Sequence, residues 1–201
     1  MIVVVDYGMG NLRSVSKALE RLGAYVTVTS DPKTVERATK LILPGVGAFG
    51  AAMEELTRRQ LSEPVKAHLV AGKPYLGVCL GLQLLFESSE EGDAAGLGVL
   101  QGTVKRFPAD ASLKIPHMGW NQVIRGQDGC PLLKGILDGS YFYFVHSYYA
   151  EPADRALVML EAEHGIRFAA MVWRQNLYAT QFHPEKSQAI GLQLLRNFVA
   201  L

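Results

Sequence analysis

Two cysteines, Cys79 and Cys130, are all that the 201 residues contain, too few for the disulfide framework that staples small secreted proteins. Charge of one sign is equally scarce. Lys and Arg total 20 against 19 Asp and Glu, so no net field draws in nucleic acid or an acidic membrane surface. No apolar stretch approaches the roughly 20 residues needed to cross a bilayer. The opening Met1-Ile2-Val3-Val4-Val5-Asp6 lacks the basic n-region and the long apolar stretch of a signal peptide. A reducing cytoplasm is therefore the expected home. No repeat, low-complexity tract or linker divides the chain, and 49% of it is hydrophobic, so one domain over residues 1–201 with a sizeable core is expected. No histidine and cysteine spacing matches a zinc site, and neither a metal nor a cofactor is expected.

What is present has a clear rhythm. Ile2 to Val5, Tyr25 to Thr29, Leu41 to Leu43 and Tyr75 to Val78 are short β-branched or apolar runs that read as buried strands. Between them lie amphipathic segments: Leu12, Val15, Ala18, Leu19 and Leu22 fall on one helical face, and Gly23 follows as a stop signal. Strand, helix, strand in succession predicts an α/β fold with a mostly parallel central sheet and flanking helices. After Gly96 the texture changes. Val99 to Val104, Asn121 to Ile124, Tyr141 to Tyr149, Leu157 to Glu161, Phe168 to Trp173 and Leu177 to Phe182 are strand-like and separated by turn residues, which predicts antiparallel strands in the second half. A last amphipathic helix is expected over about Ala189 to Val199.

Gly77-Val78-Cys79-Leu80-Gly81 follows a buried strand and precedes the apolar, helix-like Leu82-Gln83-Leu84-Leu85-Phe86-Glu87, the pattern of a nucleophile elbow. So tight a turn needs flanks without bulky side chains, hence Gly77 and Gly81. A helix starting there would aim its N–H groups and positive dipole end at the cysteine, favouring the thiolate, and would leave the Leu80 N–H free for an oxyanion. Cys130, beside a Gly and a Pro, has no such setting and reads as a small buried apolar residue.

A thiol nucleophile needs a base, and His183 in Gln181-Phe182-His183-Pro184-Glu185-Lys186 is the best placed of five histidines. It follows a strand, and Pro184 fixes the backbone so that Glu185, two residues on, can brace the imidazole. His68, on a helical pattern, and His117 and His164, near turn residues, read as exposed or locally satisfied. Gly45-Val46-Gly47-Ala48-Phe49-Gly50 matches GxGxxG, but its strand is not the first and the acidic residue expected about 20 positions on is absent. The same glycines suit a different role, because Pro44-Gly45-Val46-Gly47 can present backbone N–H groups, including those of Val46 and Gly47, to an oxyanion opposite Leu80.

Gly77-Val78-Cys79-Leu80-Gly81-Leu82-Gln83 together with Phe182-His183-Pro184-Glu185 resembles the class I glutamine amidotransferase family. Within it, Tyr7-Gly8-Met9-Gly10-Asn11, Leu43-Pro44-Gly45-Val46-Gly47-Ala48-Phe49, His117-Met118-Gly119-Trp120-Asn121 and Phe144-Val145-His146-Ser147-Tyr148 resemble the glutaminase subunits of imidazole glycerol phosphate synthases. The resemblance implies Cys79 as nucleophile, His183 as base and then acid, and Glu185 as its orienter. It implies Leu80, Val46 and Gly47 as the oxyanion hole, and Gln83, Glu91, Ser147 and Tyr148 as the groups that fix the amino-acid end of glutamine. It further implies a heterodimer with a (β/α)8-barrel cyclase in histidine biosynthesis, met through Asn11, Met118, Trp120, Asn121 and Lys186. Other readings keep the elbow: a glutaminase serving a different acceptor, a stand-alone γ-glutamyl hydrolase, or a binding module on the same fold.

Overall fold

Three of the four short apolar runs of the first half are buried on both faces and become neighbouring strands, whereas the run at Tyr25 to Thr29, expected to be buried, is the sheet's edge strand and stays partly exposed. In a computed structural model, which describes residues 1–109 and 113–201, β1 (Ile2–Val5), β2 (Val26–Thr29), β3 (Lys40–Gly45) and β4 (Tyr75–Cys79) alternate with α1 (Leu12–Arg21), α2 (Pro32–Arg37), α3 (Phe49–Arg58) and α4 (Ser62–Val70). A one-turn helix, α5 (Leu80–Gln83), follows β4 directly. The second half supplies β5 (Ser88–Ser89), β6 (Ala94–Ala95), β7 (Gly102–Arg106), β8 (His117–Arg125), β9 (Tyr141–His146), β10 (Tyr148–Pro152), β11 (Val158–His164), β12 (Ile166–Arg174) and β13 (Leu177–Thr180), and α6 (Gln188–Ala200) ends the chain.

Nine strands form one sheet in the order β2-β1-β3-β4-β13-β12-β11-β8-β9. The pairings from β2 through β13 are parallel, and those from β13 to β9 are antiparallel. Side chains alternate across the sheet and split the core in two. Val4, Ile42, Leu76 and Val78 pack with Val15 and Leu19 of α1 and Leu194, Leu195 and Phe198 of α6 on one face. Val3, Val5, Leu41, Leu43 and Tyr75 pack with Val35, Phe49, Leu56 and Val65 on the other. β10, β7, β5 and β6 form a separate four-stranded sheet.

Three further expectations need correction. The helix expected through Glu87 stops after Gln83, because the chain turns at Leu84 to bring Leu97, Val99 and Leu100 back onto Leu84 and Leu85 through main-chain hydrogen bonds. The run from Val99 starts as a strand only at Gly102. The continuous strand expected from Tyr141 to Tyr149 breaks at Ser147, and its halves enter different sheets: β9 pairs with β8, and β10 with β7.

Candidate active site

β3 and β4 run side by side with Gly45 opposite Cys79, and β13 ends beside them with Thr180 opposite Val78. Three segments thus leave the carboxyl edge of the parallel strands together, the usual place for a site in such sheets. At the elbow, Cys79 has φ 55° and ψ −108°, a sparsely populated conformation for a non-glycine residue, held because the surroundings over-determine it. The glycines make it possible. A Cβ on Gly77 would lie 2.6 Å from the Gly81 carbonyl oxygen, and one on Gly81 would lie 1.8 Å from that of Leu43. Leu80 takes the first helical position, where an N–H has no intrahelical partner. With α5 only four residues long, this local N–H matters more than any summed helix dipole.

His183 and Glu185 face each other at 2.8 Å, Nδ1 to Oε1, with both side chains 2% exposed. Nδ1 carries the proton in this contact, which leaves Nε2, unpartnered among the described residues, as the nitrogen for Cys79. Burial lowers the His183 pKa, but the Cys79 thiol and the Glu185 carboxylate outweigh it and push the value up to about 10. The turn is anchored by its main chain. The His183 N–H donates to the Tyr143 carbonyl at 2.9 Å, and the buried Ser187 hydroxyl donates to the His183 carbonyl at 2.7 Å while accepting the Tyr143 N–H at 3.0 Å. At rest the Cys79 thiol points at the Val145 carbonyl, 3.9 Å away.

A cleft of about 390 Å³ opens in front of Cys79 and is lined by Val46, Gly47, Leu80, Gln83, Glu91, Ser147, Tyr148 and Lys186, with Val145 and His146. Residues far apart in the sequence are therefore brought to one cavity. Their roles within it differ. Both N–H donors of Gln83 are engaged by protein, on the Tyr148 carbonyl at 2.9 Å and on Gln181 Oε1 at 3.0 Å. One oxygen of Glu91 accepts the Phe49 N–H at 2.8 Å, so this carboxylate also caps α3 just after the oxyanion segment. Gln181 donates to the Cys79 sulfur at 3.7 Å, a contact that its place in a strand-like run did not reveal.

On the outer face of β8 and β9, Met118 and Trp120 are 61% and 46% exposed. The Tyr143 ring meets the Trp120 ring edge-on at 6.2 Å and lies under Lys186 Nζ at 5.9 Å. Asn11 is exposed at the start of α1, where its side chain accepts the Ser14 N–H. Asn121 lies on the opposite face of β8, its amide donating to the Glu163 carbonyl and to His117. Of the two alternatives open for the other histidines, the structure shows hydrogen-bonded rings: His68 and His117 are buried, with His68 Nε2 bonded to the Pro74 carbonyl and His117 bonded to His146, 29 residues away, and His164 Nε2 is bonded to the Lys114 carbonyl. Cys130 is buried, and burial raises its thiol pKa to about 11.

A family model described as glutamine amidotransferase class-I matches residues 3–201. A protein of Syntrophotalea carbinolica named imidazole glycerol phosphate synthase subunit HisH is 53% identical, over 98% of each chain. Its namesake in Rhodopirellula baltica is 54% identical over 98% of this chain and 96% of its own. Among solved structures, one described as a glutamine amidotransferase matches over 100% of both chains with a TM-score of 0.76 at 20% identity. PurLQS from Thermotoga maritima matches over 99% and 97% with the same score and identity, which carries the fold alone. The chain belongs to the class I glutamine amidotransferase family.

Proposed function

We propose that the chain is a single glutamine amidotransferase domain that acts as the glutaminase subunit of an imidazole glycerol phosphate synthase in histidine biosynthesis. Relatives of nearly equal length at 53% and 54% identity are named imidazole glycerol phosphate synthase subunit HisH. The observation that carries the chemistry is the strained Cys79, backed by the buried His183–Glu185 pair and opening onto a cleft sized for a small amino acid.

The Cys79 thiolate attacks the side-chain amide carbon of glutamine, and the carbonyl electrons move onto oxygen. The N–H groups of Leu80 and of the Val46–Gly47 segment hold that oxyanion. His183, protonated and steadied by Glu185, gives its proton to the departing ammonia, leaving a glutamyl thioester. Water then attacks the thioester, His183 takes the proton, and glutamate leaves. Ser147 and Tyr148 at the break between β9 and β10, with Gln83 and Glu91, shape the end of the cleft that receives the ammonium and carboxylate groups. A (β/α)8-barrel cyclase receives the ammonia, docking over Asn11, Met118, Trp120 and Lys186, while Asn121, on the other face of β8, braces that strand from behind, and the complex works in the cytoplasm. No cofactor enters these steps.

The test is glutamine hydrolysis by the complex before and after Cys79→Ala. Glutamine turnover should vanish while partner binding and the use of free ammonium persist. Retained turnover removes Cys79 from the nucleophile's role. The lone chain should be a poor glutaminase: two glycines let one peptide of the oxyanion segment turn toward or away from the intermediate at little steric cost, and one missing donor costs roughly 10²–10³ in rate. A lone chain as fast as the complex would favour the stand-alone hydrolase.

A further inference from the structure

Tyr7, just beyond β1, takes no part in the steps above. It is nonetheless among the largest side chains to be wholly buried, and its hydroxyl has no hydrogen-bond partner among the described residues. Interiors rarely keep such a group, because the hydroxyl has given up its hydrogen bonds to water and received none in exchange. Phenylalanine would fill the same space without that cost. Packing accounts for the ring and leaves the oxygen unexplained.

The place of that oxygen is specific. A Cβ built on Gly45 would lie 2.2 Å from the Tyr7 oxygen and 2.8 Å from Leu80 Cβ. The hydroxyl therefore occupies the space a side chain at position 45 would take, where the oxyanion segment passes Leu80. Strand order sharpens the picture. β3 lies between β1 and β4, so the main chain at Tyr7 runs on one side of the end of β3 and Cys79 on the other, while the Tyr7 hydroxyl reaches over Gly45 toward Leu80. The N–H and C=O of one peptide point in opposite directions. When the Gly45–Val46 peptide turns its N–H toward the reacting centre at Cys79, its carbonyl swings toward β1. Gly47, at φ 100°, is a conformation open to glycine that helps absorb such a turn.

Resting on the glutaminase reading, we propose that Tyr7 is a positioning residue of the oxyanion segment, its hydroxyl donating to the Gly45 carbonyl when the Val46 N–H faces the tetrahedral intermediate. The unpaired hydroxyl of the resting state and the paired one of the turned state together bias the peptide toward the catalytic arrangement. Burial first, and the neighbouring Cys79 charge second, raise the Tyr7 pKa, so the hydroxyl keeps the proton it must donate.

Tyr7→Phe in the complex tests this, with three readings beside the wild type. The kcat for glutamine should fall about five- to tenfold, the worth of one neutral hydrogen bond, with KM within about twofold. Melting temperature should hold or rise, because an unpaired buried hydroxyl has been removed. Alkylation of Cys79 by iodoacetamide, which forms no oxyanion, should keep its wild-type rate. An unchanged kcat overturns the proposal, as does a clear drop in melting temperature, which would reveal a structural partner for the hydroxyl. Alkylation slowed in step with kcat would move the effect to the thiol and also overturn it. A wild-type complex that hydrolyses no glutamine overturns the glutaminase reading itself, an outcome distinct from equal hydrolysis by both proteins.

Discussion

His183 and the pair His117–His146 are all buried, within one chain and close to one cleft, yet their charges are driven in opposite directions. His183 lies between a thiol and a carboxylate and is pushed up to about 10 despite burial. His146 and His117 have no carboxylate to hold a charge among the described residues, and burial first, then repulsion by neighbouring histidines, takes them down to about 3 and about 4. The second arrangement is a directed relay. The Tyr148 carbonyl can only accept, so His146 Nδ1 donates to it at 2.7 Å. His146 Nε2 then accepts from His117 Nδ1 at 2.9 Å, and His117 Nε2 accepts from the Asn121 amide at 3.1 Å. A proton added to either ring would reverse a donor into its neighbour. Burial sets the cost of charge, and the partner decides whether that cost is met.

Removing the charged arrangement should have the largest effect. His183→Ala deletes the base and acid together, and glutamine hydrolysis by the complex should fall by about 10³–10⁴, the upper range for general acid–base catalysis. Glu185→Gln keeps the shape and removes the charge that steadies the imidazolium, so roughly a 10²-fold loss is expected. Should steady-state kinetics show the larger loss for Glu185→Gln, the roles given to the two residues are reversed.

The pH dependence of stability follows next in size, and the two arrangements give it opposite slopes. The His183 pKa is raised on folding, so its contribution is complete below the unfolded value near 6.5 and is lost as pH climbs toward about 10. Those of His117 and His146 are lowered, so their contributions are complete above about 6.5 and fade as pH falls toward about 4 and about 3. Stability should therefore peak near neutral pH. Glu185→Gln should make the alkaline limb shallower without abolishing it, because Cys79 remains the larger cause of the raised pKa, and should change the acid limb less, since His183 is only the last of the causes acting on His146. Denaturant melts across pH would show this, and equal changes on both limbs would mean that the regions are not separate.

One of these arrangements is legible in the sequence and the other is concealed, for physical reasons. Cys79, His183 and Glu185 can be found because tight local geometry writes itself into short motifs: glycines flanking a strained turn, and a proline between a base and its brace. The parallel strands β1, β3 and β4 are visible because burial on both faces leaves continuous apolar runs, and β2, at the edge, shows instead by its β-branched Val26-Thr27-Val28-Thr29. The relay is tertiary. His117 and His146 lie 29 residues apart on strands that pair only after folding, and a histidine beside turn residues looks the same whether it ends in solvent or in a core. The break at Ser147 is hidden because both halves of the run have strand composition, and only the second sheet decides where the chain leaves the first. Tyr7 stands in the sequence only as the first residue of the Tyr7-Gly8-Met9-Gly10-Asn11 segment, because an unpaired hydroxyl has no signature in sequence.

The smallest expected effect asks whether the two arrangements communicate. β9 touches both: His146 ends it, and the Tyr143 main chain, three residues earlier, holds the His183 N–H and the Ser187 hydroxyl. His146→Asn can retain a donor to the Tyr148 carbonyl, since its amide nitrogen can take the place of Nδ1, but it withdraws the acceptor that His117 uses. The Ser147–Tyr148 break should loosen slightly, and KM for glutamine should rise about two- to fivefold with kcat little changed. Combined with Glu185→Gln, the effects on kcat/KM should add to within about 0.5 kcal/mol, as for sites that share no partner. A coupling well above that would mean β9 carries strain from the neutral relay to the charged pair. The contrast between the two would then describe one connected device, with the main chain of Tyr143 as its joint.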